Sequence, residues 1–164
     1  GDFPIVYLST TFYGKKIVSI IQSQLERVLG IKCEVEAAVW EDHWRKITTR
    51  NYQIGYMNWT SWLNDPIYTL QSFKYSDEKV NFTWWQNSEF IKLLDLSDQA
   101  IDPKKRMEYL AEAEEIHIKD ALVIPTFYDM GWYIKHQSLV LNPSASNGNV
   151  DFSQAHFKNS NTLI

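Results

Sequence analysis

The hydrophobic period changes repeatedly within the opening third of the chain, and that alternation narrows the fold more than any other feature. The run "PIVYLST" suits a short buried strand. Gly14 then opens a pattern in which Ile17, Ile21, Leu25 and Val28 recur at i, i+4, i+8 and i+11, one apolar face of a helix. It stops at Leu29-Gly30, where glycine fits the left-handed position that follows a helix C-terminus. In "IKCEVEAAV", Ile31, Cys33 and Val35 alternate with Lys32, Glu34 and Glu36, the period of a half-buried strand. A short helix with Trp40, Trp44 and Ile47 on one face follows, and "YQIGYMNWTS" reads as a third extended segment. The order β-α-β-α-β predicts an α/β chain, a mixed sheet flanked by helices, with any ligand at strand C-termini.

The rest reads as scaffold. Asp65 caps a helix that begins at Pro66 and continues through "IYTLQSF". "NSEFIKLLDLSDQA" places Phe90, Leu93, Leu94 and Ser97 at helical spacing. Asp102 caps a longer helix with Pro103 at its first position and Met107, Leu110, Ala111 and Ile118 on the buried side. "LVIPTFYDMGWYIKH" is strand-like, with Gly131 as a bulge, and the tail 142–164 is turn-rich and loosely held. At 164 residues the chain is read as a single domain, 1–164.

Charge and motifs exclude several function classes. With 16 basic and 20 acidic residues the net charge is −4, and no basic run exceeds the three residues Lys104-Lys105-Arg106, so no nucleic-acid partner is expected. One cysteine, Cys33, excludes an internal disulfide and a multi-cysteine zinc site and leaves the redox compartment open. No apolar run approaches the roughly 18 residues of a membrane span. The start, "GDFPIVYL", has neither a basic n-region nor a cleavage site, so an export signal or anchor is expected outside this chain. His43, His117, His136 and His156 are scattered and fit surface or locally bonded roles, and no HExxH, GxSxG, Walker A or CxxC motif occurs. No catalytic residue, metal or cofactor is expected, which weighs against a hydrolase. The sequons Asn58-Trp59-Thr60 and Asn81-Phe82-Thr83 bear on function only in a eukaryotic secretory setting. The positive signal is aromatic: 7 Trp, 9 Tyr and 8 Phe, enough to line a binding surface as well as a core.

The order of segments resembles the second lobe of the oligopeptide and dipeptide substrate-binding proteins of ABC importers, solute-binding protein family 5. The pieces that carry it are "PIVYLSTTFYGKKIVSIIQSQLERVLGIKCEVEAAVWEDHWRKI", "NWTSWLNDP", "NFTWWQNSEFIKLLDLSDQA", "DPKKRMEYLAEAEEIHIKDALVIPTFY" and a closing "NP", nearly the whole chain. The breadth of the match weighs against a pure interaction domain. The resemblance implies a type II periplasmic-binding-protein-like lobe of a longer, exported, often lipid-anchored protein in the periplasm or cell envelope. That protein would close two lobes around a peptide and deliver it to ABC permease subunits in the membrane. It further implies that Asn58, Trp59, Thr60 and Ser61 pair with the ligand backbone. Such proteins usually hold the peptide ammonium with an Asp three residues after the residue matched by Trp59; here that position is Trp62. The departure points either to peptides without a free N-terminus or to a different solute stacked on Trp59, Trp62, Trp84 or Trp85. Tyr128 and Trp132 are further candidates for lining.

Overall fold

The computed structural model describes residues 4–130, 133–143 and 150–158. The chain divides into two compact units, one running to Trp59 and including Ser72–Asn87, the other comprising Thr60–Gln71 and the chain from Ser88 onward.

In the first unit, β1 (Val6–Thr11), α1 (Lys15–Leu29), β2 (Cys33–Ala38), α2 (Trp40–Thr48) and β3 (Ile54–Gly55) follow the predicted alternation. The strands form a parallel sheet in the order β2-β1-β3, with Val6 opposite Cys33 and Ser9 opposite Gly55. Leu8, Val18 and Cys33 are buried together, with Val6, Leu25, Ile31, Val35 and Tyr56 packed against them. The buried face of α1 centres on Val18, and Val28, expected inside, is exposed. Gly30 sits at φ 67° and donates its N–H to the Glu26 carbonyl, as the stop signal predicted. Glu26 Oε1 accepts from Cys33 N at 3.2 Å, and Gln22 Nε2 donates to the Cys33 carbonyl at 2.7 Å, so the helix brackets the start of β2. Burial, and secondarily Glu26, holds the Cys33 thiol pKa above its ordinary value.

In the second unit, α3 (Ile67–Leu70), α4 (Ser88–Gln99) and α5 (Pro103–Lys119) precede an antiparallel pair, β4 (Leu139–Pro143) with β5 (Val150–Phe157). The expected buried face of α4, Phe90, Leu93, Leu94 and Ser97, is the observed one. The Asp102 carboxylate caps α5 by accepting from Lys104 N at 3.0 Å. The buried stripe of α5 is Leu110, Ala113 and His117, whereas Met107, Ala111 and Ile118 are exposed. The His117 ring stacks on Phe90, 6.0 Å between centroids, so a polar residue occupies a core position that hydrophobic patterning alone assigns elsewhere.

Three extended segments differ from expectation. The third strand is two residues long rather than the whole of "YQIGYMNWTS", because β1 offers ladder partners only to Ile54 and Gly55. Residues 124–130 and 133–136 form no strand, since an extended run needs a neighbouring edge to satisfy its backbone and none of the described strands pairs with it. The stretch from Asn142, expected to be turn-rich, contains β5, whose backbone pairs back onto β4. Gly131, expected as a bulge, lies outside the described residues.

Candidate functional site

The edge strand β3 delivers the chain to the predicted ligand segment, and Tyr56 fixes its exit. Tyr56 N donates to the Ser9 carbonyl at 2.9 Å, extending the ladder with β1 by one bond. His43, fully buried on α2, holds the other side of the same residue: its Nε2 lies 2.9 Å from the Tyr56 carbonyl and its Nδ1 lies 3.1 Å from Ser9 Oγ. A carbonyl only accepts, so Nε2 carries the proton and Nδ1 accepts from the Ser9 hydroxyl. That arrangement requires the neutral imidazole. The Tyr56 ring also closes over Gly14, where an added Cβ would clash with Thr10 Oγ1 and stand 2.9 Å from the ring.

Beyond Tyr56 the chain leaves the ladder with β1. Asn58, Thr60 and Ser61 belong to no helix or strand, and among the described residues their backbone groups have no hydrogen-bond partner. Asn58, Trp59 and Thr60 are exposed; Ser61 is half-buried and its hydroxyl donates to the Leu63 carbonyl. Trp62 is 64% exposed. Asn58 and Trp59 end the first unit, and Thr60, Ser61 and Trp62 begin the second. Tyr128 lies in the second unit with its side chain fully exposed, and Trp132 lies outside the described residues.

Asp65 is engaged elsewhere. Its Oδ1 accepts from Ile67 N at 3.0 Å, the predicted capping role, and both carboxylate oxygens meet the Arg106 guanidinium at 2.9 and 3.1 Å. Hydrogen bonding from Arg106 lowers the Asp65 pKa, against a smaller opposing effect of desolvation. This half-exposed pair joins α5 to the start of α3 and contributes about 1 kcal/mol after solvent screening.

The residue that patterning missed is Asn81. Completely buried, it donates from Nδ2 to the Tyr75 and Trp85 carbonyls at 2.8 and 2.9 Å and accepts at Oδ1 from Thr83 N and Oγ1 at 3.1 and 2.8 Å. Both Nδ2 hydrogens are spent inside the protein, so this sequon cannot accept a glycan in the folded state. Around this loop the Trp40 and Trp44 rings stack at 5.5 Å, Trp44 meets Phe82 edge-on at 5.5 Å, and Tyr52 OH donates to the Phe82 carbonyl. Among the described residues no group of three or more His, Cys, Asp or Glu is placed to hold a metal ion, and no helix is long and apolar enough to cross a membrane.

Burial lowers the pKa of His43, with the Tyr56 carbonyl opposing and Lys46 reinforcing the shift, and burial likewise lowers that of His117 against the attraction of Asp120. Both then bind protons more weakly folded than unfolded. Their contribution to stability is therefore constant above the unfolded value of 6.5 and falls as pH drops below it. Urea midpoints measured from pH 8 to pH 5 are expected to hold steady to about pH 6.5 and then decline. His43→Gln should flatten part of that decline.

No family model matches the chain. It is 34% identical over 162 residues to the oligopeptide-binding protein OppA of Bacillus subtilis, a match that spans 96% of this chain and 29% of that protein. A crystal structure of the periplasmic oligopeptide-binding protein OppAIV of Borrelia burgdorferi superposes with a TM-score of 0.64 at 32% identity, covering 73% of this chain and 24% of that one. The structure of the pheromone receptor PrgZ gives a TM-score of 0.73 at 19% identity over 94% of this chain and 30% of the receptor. The fold is thus α/β of the periplasmic-binding-protein-like type. The chain spans less than a third of the length of each of these proteins.

Proposed function

Because this chain belongs to the family of oligopeptide-binding proteins that serve ABC transporters, we propose that it is the second, C-terminal lobe of a two-lobed substrate-binding protein and forms one wall of an oligopeptide site. The observation that carries this reading is the open backbone of Asn58, Thr60 and Ser61 beyond the edge strand β3. An extended peptide laid along that segment gains main-chain hydrogen bonds whatever its side chains are, the physical basis of sequence-tolerant capture. The role is binding without chemistry. The first lobe, the membrane permease subunits, a periplasmic or cell-envelope location and a lipid anchor belong to the longer protein in this reading.

Trp62 favours a second reading of the ligand. A carboxylate at this position would hold a peptide ammonium, Trp62 supplies none, and Asp65 is committed to Arg106 and Ile67. A ring face recovers roughly 0.5–2 kcal/mol by cation–π attraction, less than a charged hydrogen bond with its ion pair. N-terminally blocked peptides, or a non-peptide solute stacked on tryptophan, therefore fit this chain better than free-amine peptides. Calorimetric titration with matched free and N-acetylated peptides is expected to show affinities within about threefold of each other. Trp62→Asp should tighten the free-amine series alone by about tenfold. A strong wild-type requirement for the free amine contradicts this reading of Trp62, and an unchanged affinity in the variant means that the residue does not face the ligand.

A further inference from the structure

Two residues of the first unit hold backbone conformations that side chains rarely adopt, and they are stacked on each other. Arg50 has φ 57° and Trp84 has φ 62°, and Arg50 Cζ lies 3.4 Å from the centroid of the Trp84 ring. The left-handed region crowds Cβ against the backbone, so a bulky residue stays there only when its surroundings hold it. Those surroundings are visible. Arg50 Nε and Nη2 donate to the Asn81 carbonyl at 3.2 and 2.7 Å, and Nη2 donates to the Ser76 carbonyl at 2.8 Å. The buried Asn81 side chain and the bonds from Ser76 to Gln86 Oε1 fix the loop that carries Trp84.

Among the described residues no carboxylate lies within ion-pair distance of the Arg50 guanidinium. Carbonyl dipoles and one ring face offset its charge without cancelling it. Trp84 nevertheless remains 67% exposed. An indole is thus held rigidly, by a cation beneath it, in a conformation that costs energy and leaves a large apolar face in water.

We propose that the outer face of Trp84 is a stacking site for an aromatic group of a ligand, and that the charge of Arg50 makes it select an anionic aromatic group over a cationic one. The faces of an isolated indole attract cations through its quadrupole. Here one face already serves a cation, whose positive potential acts through the ring and opposes a second one. The ligand class is a planar aromatic carrying a carboxylate, such as a C-terminal aromatic residue. The site lies wholly in the first unit and stands or falls independently of backbone pairing at Asn58–Ser61.

The test is an NMR titration of the indole N–H signals of this chain, with the Trp84 signal assigned from Trp84→Phe. Three probes share one ring: N-acetylphenylalanine, N-acetylphenylalaninamide and phenethylamine. The Trp84 signal is expected to shift, with the carboxylate binding at least about threefold more tightly than the amine. Arg50→Met should narrow that difference. The wild-type order alone decides the matter should that variant fail to fold. A Trp84 signal unmoved by all three probes, or an amine that binds as well as the carboxylate, overturns the proposal.

Discussion

Replacing Phe90 with alanine is expected to lower stability by about 4 kcal/mol, the largest effect of any single truncation in this chain. Phe90 is completely buried on α4, and its ring lies on His117 of α5. The loss comprises the transfer free energy of the benzyl group and a cavity that the neighbours cannot fill. Its surroundings limit relaxation, because Leu93, Leu94 and Leu110 are also buried and Ser97 Oγ is tied to the Leu94 carbonyl at 2.7 Å. A domain stable by about 5–15 kcal/mol is brought near its threshold by such a change. Urea unfolding followed by far-UV circular dichroism checks it, and a loss below about 1 kcal/mol would mean that α4 and α5 do not pack through this residue.

Asn81→Ala is expected to cost about 3 kcal/mol, although it removes only a small polar group. The side chain satisfies the Tyr75 and Trp85 carbonyls and the backbone and hydroxyl of Thr83, all from a fully buried position. Alanine leaves those groups without partners in a place that water reaches poorly, and each uncompensated group costs about 1 kcal/mol or more. Asn81→Asp should fare no better, since a carboxylate would face two carbonyl oxygens. The same unfolding measurement applies. Loss of ordered chemical shifts for Trp84 in the folded Asn81→Ala protein would show that the loop, and with it the Arg50 stack, depends on this asparagine.

What patterning could read follows from which interactions it encodes. The α4 face was legible because Phe90, Leu93, Leu94 and Ser97 are small or apolar at helical spacing, and the caps at Gly30 and Asp102 were legible because they depend on local backbone chemistry. The stripe of α5 slipped because a histidine fills a core position, which no hydrophobicity scale favours. The partners of Asp65 and Tyr56, namely Arg106 and His43, were not legible, because each bond joins residues that only the fold brings together. The left-handed Arg50 and Trp84 carried no signal at all, since that conformation is ordinarily marked by glycine. At the ligand segment, only Ile54 and Gly55 of the expected third strand pair with β1, because the reach of β3 depends on how far β1 offers partners, which no local pattern encodes.

Amide hydrogen exchange at Asn58, Thr60 and Ser61 tests the central claim most directly. The chain would be saturated with an unmodified oligopeptide and, in parallel, with the same peptide methylated at every backbone nitrogen. Backbone pairing predicts slowed exchange at these residues with the unmodified peptide and weaker binding with little protection for the methylated one. Saturation by the unmodified peptide with exchange unchanged at all three residues would contradict the account.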